Sequence, residues 1–145
     1  MKRSMLGFSL IELLIVIAIV GVLAAIAWMG SRGLLERGRV NEALASIELR
    51  ANEARLEAKR SDGAVEFRMF EGRVEIAPVA GANRPFALGR SVTLDWDAGS
   101  EPQVLLFEPP FGTWGGEELV IRVRSGRALA TVSFVGVLAR PVVTR

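Results

Sequence analysis

Phe8-Ser9-Leu10-Ile11-Glu12-Leu13-Leu14-Ile15-Val16-Ile17-Ala18-Ile19 opens an apolar run that continues to Met29. At about 1.5 Å per residue, about 22 residues of helix cover roughly 33 Å, enough to cross a hydrocarbon core of about 30 Å. One residue departs from this plan. Glu12 lies inside the run, close to its start. An ionised carboxylate at the centre of a bilayer costs about 2.5–3.5 kcal/mol on insertion scales. A plain anchor has no use for such a residue, and the run itself offers no cation to pair with it. Glu12 therefore points to a partner outside its own segment.

The rest of the composition narrows the chemistry. A chain of 145 residues leaves room for one domain beside the run. There is no Cys, which removes disulfides and thiolate metal sites, and no His, which removes the commonest general base and metal ligand. The net charge of +2 comes from Lys2 and Arg3; beyond residue 7 the basic and acidic residues balance. The high isoelectric point is thus no argument for a nucleic-acid binder, and only the placement of charges matters.

Residues 1–7 are short and basic. Ala25 and Ala27, at the end of the run, resemble the small-residue site of an ordinary signal peptide, but the acid inside the run argues against removal of the whole segment. Gly7 followed by an aromatic residue, an acid five residues into the new chain and an unbroken apolar remainder closely resembles the prepilin signature of type IV pilins and type II secretion pseudopilins. That resemblance implies cleavage between Gly7 and Phe8 by a membrane-embedded prepilin peptidase and N-methylation of Phe8. It also implies retention of the run and a role for Glu12 in assembly, paired with the N-terminal amine of a neighbouring subunit. The physics agrees: two charges that are each costly in lipid neutralise one another only when subunits stack in register. Arg32, Arg37 and Arg39 follow the run more densely than Lys2 and Arg3 precede it, so the positive-inside count does not set the orientation. A cytoplasmic N-terminus follows from the resemblance alone.

No proline precedes Pro78, so helix can continue to about Arg60. Val40, Leu44, Ile47, Ala51, Ala54 and Ala58 alternate spacings of four and three and form one stripe, with Glu53 and Glu57 set against Arg50, Lys59 and Arg60. The stripe shrinks toward Ala, which suits close packing on a sheet. Gly30, Gly33 and Gly38 predict a flexible neck, and Trp28 an interfacial anchor. After Ser61-Asp62-Gly63 the pattern changes to period two. Strands are predicted over 64–70, 73–77, 91–96 and 103–107, with a hairpin of 119–124 and 127–135 about Ser125-Gly126; residues 78–85 read as a loop. Phe107-Glu108-Pro109, the Gly-rich connection and that hairpin ending at Gly136 resemble the GspH/FimT group of minor pseudopilins and minor pilins. The group folds as an N-terminal helix on two sheets.

Other chemistry is thin. Arg122 and Arg124 share one strand face, with Arg127 just past the turn. They fit either a phosphate-binding patch for DNA or a solvated face paired with acids of neighbouring strands or subunits; without interleaved aromatic residues the second reading is preferred. Asp95 with Asp97 makes a poor calcium site, and Glu117-Glu118 lacks any nucleophile or basic partner. Phe111 and Trp114 read equally as an exposed recognition loop or as a loop tucked under the sheet.

The expectation is an α+β, pilin-like fold: leader 1–7, membrane-spanning helix 8–30, amphipathic continuation 31–62, and a periplasmic antiparallel β domain over 63–145. By resemblance, the function is that of an H-type minor pseudopilin in type II secretion, with a FimT-type minor pilin for pilus assembly or DNA uptake as the alternative. Neither is an enzyme, and no cofactor or metal is expected. The partners would be the inner membrane, the prepilin peptidase and other pilins or pseudopilins.

Overall fold

The computed structural model describes residues 9–96, 102–116 and 118–144, with backbone only at 29 and 30. One long helix, α1 (Leu10–Arg60), leads into eight strands: β1 (Val65–Phe70), β2 (Arg73–Pro78), β3 (Arg84–Ala87), β4 (Thr93–Asp95), β5 (Gln103–Phe107), β6 (Leu119–Ser125), β7 (Ala128–Val135) and β8 (Arg140–Thr144). The chain divides into two units between Leu35 and Glu36, so the second unit holds the later part of α1 and all the strands. The expected α+β architecture, a long helix packed on antiparallel sheets, is what the chain adopts.

The strands form two four-stranded sheets, β3-β2-β1-β5 and β4-β6-β7-β8, with every pairing antiparallel. Alternation decides which side chains go inward. Val65, Phe67 and Met69 of β1 stand beside Val74 and Ile76 of β2 and Leu105 and Phe107 of β5, all fully or almost fully buried. In the second sheet Leu94, Ile121, Val123, Ala130, Val132 and Phe134 do the same. The stripe Val40, Leu44, Ile47, Ala51, Ala54 and Ala58 is buried as its spacing predicts, joined by Ala43, and belongs to the same core as both sheets.

The small residues along that stripe let other backbone come close to the helix. Gly112, at φ +62°, sits where a β-carbon would collide with the carbonyl oxygen and side-chain stem of Arg55. Beside it Trp114 is buried and its amide N–H donates to the carbonyl of Val137 at 2.7 Å, whereas Phe111 is 69% exposed. The two aromatic residues thus divide between the two readings of their loop.

Several expectations are corrected. The loop read over 78–85 runs into a strand, β3, that contains Pro85. β3 is an edge strand paired only with β2, so a residue without an N–H costs the sheet no interior hydrogen bond. β8, where no strand is predicted, is the matching edge of the second sheet and contains Pro141. The hairpin turn is Gly126-Arg127, since Ser125 pairs with Ala128. At the expected neck α1 stays helical through Gly30, Gly33 and Gly38, at about 1 kcal/mol per glycine, and the chain divides into its two units there, between Leu35 and Glu36. Finally, Glu53 and Glu57 do not turn to Lys59 and Arg60. Glu53 binds Arg50 at 2.7 Å and Arg84 at 3.0 Å, and Glu57 binds Arg84, which reaches across from β3.

Candidate functional site

The site begins where α1 begins. Ser9 precedes the first helical residue, and its hydroxyl accepts the backbone N–H of Glu12 at 3.3 Å. Its carbonyl accepts from the N–H groups of Glu12 and Leu13 at 3.0 and 3.2 Å. Ser9-x-x-Glu12 is thus the spacing of a capping box, in which a serine satisfies an orphan donor of the first turn. Sequence reasoning passed over this signal. An acid in the first turn also gains from the helix dipole, about 0.3–1 kcal/mol at an exposed site. That gain is well below the insertion cost of a carboxylate deep in lipid. Capping alone does not account for Glu12.

Around Glu12 the arm is apolar on every side. From Leu10 to Trp28 each described side chain is exposed, and the most apolar stretch of α1 has a mean hydropathy of 3.0 with none of it buried. By length and composition it can cross a membrane. Among the described residues no side chain pairs with the Glu12 carboxylate. At the far end Arg32 lies over the Trp28 ring, 5.7 Å from its centroid, and the Ser31 hydroxyl donates to the Trp28 carbonyl at 3.0 Å. An aromatic residue and a cation at the close of an apolar helix are the ordinary furniture of a membrane interface. Gly7 and Phe8 lie outside the described residues, as do Asp97 and Glu117.

The C-terminal arginines do not form one bare cationic face. Arg122 stands across from Asp95 on β4, and Arg124 across from Thr93. Arg124 lines an open cleft of about 340 Å³ that also holds Glu71 and Asp95. Arg127 sits apart in the hairpin turn, where its backbone N–H donates to the Glu36 carboxylate at 3.0 Å. Among the described residues there is no cluster of three or more metal-ligating side chains.

An apolar helical arm bearing one acid, continued into a helix that packs on antiparallel sheets, is a pilin-like α+β architecture. Comparison with known proteins agrees. Residues 2–28 match the prokaryotic N-terminal methylation motif. The chain is 34% identical over 104 residues to a protein described as a probable minor fimbrial protein of Dichelobacter nodosus, a match covering 72% of this chain and 57% of that protein. No solved structure matches it. The chain is thus similar to type IV prepilin-like proteins at its N-terminus and to a minor fimbrial protein over most of its length, and the match spans little more than half the length of that relative.

Proposed function

We propose that this chain is a prepilin, cut between Gly7 and Phe8, methylated on Phe8 and held in the inner membrane by its arm. Its β domain faces the periplasm until the subunit joins a filament. Its work is assembly and partner recognition, not catalysis. The observation that carries this reading is Glu12: an exposed carboxylate in an arm that is otherwise apolar on every side, without a partner among the described residues. Cleavage after Gly7 makes an α-amine four residues away in sequence. On a neighbouring subunit that amine is the cation an acid in lipid requires.

The system served is a finer matter. The GspH-like sequence pattern favours an H-type subunit of a type II secretion pseudopilus. The likeness to a probable minor fimbrial protein favours a FimT-type minor pilin, and we give that observation the greater weight. Genes for pilus retraction beside this one would support the pilus reading; a secretin with other pseudopilins would support the secretion reading.

The test of the common mechanism is Glu12→Ala in the full chain. Membrane insertion and cleavage remain intact, and recovery in sheared filaments falls at least about tenfold, the equivalent of only about 1.4 kcal/mol. Normal recovery refutes the assembly role. Gly7→Ile, in contrast, blocks processing itself, and the uncleaved chain accumulates in the membrane.

A further inference from the structure

Arg32, Arg37 and Arg39 lie on the side of the apolar run where a simple count of charges does not expect them. Arg37 has a destination in the fold. It and Asn41, on α1, face Arg127 and Leu129, on the β6–β7 hairpin, across a groove of about 540 Å³. Val40 and Ala130, both buried, supply an apolar floor. Leu129 is 50% exposed at the lip. No carboxylate lines the groove. The nearest acid in the sequence, Glu36, accepts the Arg127 amide and closes over Gly126, so its charge is directed at the turn. Neither guanidinium has a partner among the described residues.

We propose that this groove docks on the membrane surface, with Arg37 and Arg127 holding the phosphate of an anionic phospholipid headgroup and Leu129 resting on the glycerol region. Two arginines with open forks suit a phosphodiester. An apolar floor and an exposed leucine between them suit a lipid better than the polar backbone of DNA, and no aromatic residue lines the groove to stack a base. Tethering selects the lipid as well. Arg37 is nine residues beyond Trp28, and nine residues of chain reach at most about 30 Å in any conformation. Arg37 is therefore tethered within that reach of the surface that the arm enters. This inference rests on the membrane reading given above. It adds a stored state in which the β domain lies on the bilayer before assembly.

The test uses the full chain in lipid nanodiscs. The protein has no cysteine, so Gly38→Cys gives a single labelling site beside Arg37, and a β-carbon there meets nothing within 4 Å. The label is quenched by nitroxide-headgroup lipids in discs of phosphatidylcholine, or of phosphatidylcholine with about one third phosphatidylglycerol. Each arginine at an anionic surface contributes about a fivefold preference, so the docked-to-undocked ratio should rise on the order of thirtyfold in the anionic discs. Salt at about 1 M should abolish the difference. Arg37→Gln with Arg127→Gln should bring the anionic discs to the neutral level, Arg37→Gln alone should remove about fivefold, and Arg60→Gln should change nothing. Equal quenching in the two lipids, or full lipid dependence in the double variant, overturns the proposal. So does salt-sensitive binding of duplex DNA through Arg37 and Arg127 without lipid dependence, which gives the groove to DNA, or release by millimolar inorganic phosphate, which makes it a free-phosphate site. A chain that fails to enter the discs defeats the membrane reading and this inference together; one that enters without discriminating lipids defeats the inference alone.

Discussion

The two parts of α1 follow opposite rules of burial. Between Leu10 and Trp28 the large aliphatic side chains are the exposed ones, Ile17 at 61% and Leu23 at 60% among them. Between Val40 and Ala58 the apolar stripe is buried, and the charged residues stay outside or half-covered. The same backbone geometry serves both. The difference is the surroundings each part suits: an apolar medium on every side of the first, a pair of sheets on one side of the second and water on the rest. Stability should therefore reside in one part and insertion in the other, and each can be broken without the other.

The largest expected effect is in the β domain. Phe67 is fully buried between Leu105 and Ile76 on the neighbouring strands. Phe67→Ala removes a ring from a core that cannot collapse around the loss, and denaturant unfolding of the full chain in detergent should show a loss of about 3–5 kcal/mol. Membrane insertion should not change; if it fell in parallel, the two parts would not be independent. The complementary change is Ile17→Arg. It places a second charge in the arm at about 2.5–3.5 kcal/mol of insertion free energy, read in a membrane-insertion assay, with the unfolding midpoint of the β domain unmoved.

The same contrast explains what the sequence discloses. The arm is legible because nothing in its own chain covers it. An apolar run and one acid are complete signals, and the stripe from Val40 to Ala58 shows its periodicity for the same reason, since each position answers to a single neighbour. Strands that depend on distant partners are harder. β3 contains Pro85, the end of the stretch read as a loop, and β8 contains Pro141, where no strand is predicted. Only their places at the edges of two sheets make them strands. Arg84 could not be matched to Glu53 and Glu57 for the same reason, because its acids lie 31 and 27 residues earlier, across an interface no periodicity describes. Ser9 is different: its capping role is local and legible in Ser9-x-x-Glu12 itself.

A smaller effect sharpens the comparison at the point where the second unit begins. Gly126 has φ +58°, and a β-carbon there would press on the Glu36 carboxyl. Gly126→Val meets both the left-handed backbone and that contact, and should cost on the order of 1–3 kcal/mol in denaturant unfolding. Glu36→Ala in the same background should recover part of the loss by removing the collision, while the backbone strain remains. A double variant no better than Gly126→Val would assign the whole cost to the backbone and leave the Glu36 contact without energetic weight.

The smallest effect tests whether the helix and the first sheet are joined by charge as well as by packing. Arg84 on the β3 edge bridges Glu53 and Glu57 on α1, and Arg50 in the same group lies over the Phe86 ring at 3.8 Å. All four charged residues are about one-third exposed or more, so solvent screens them and side-chain entropy opposes them. Arg84→Ala should cost no more than about 1 kcal/mol at low salt, less at about 1 M salt, and should not alter the core packing of Ala54 and Ala58. A salt-independent loss well above that figure would mean that the pairing, not the apolar stripe, registers the helix on the sheet. A loss within it leaves registration to Val40, Leu44 and Ile47, where burial is complete or nearly so and water has no access to compete.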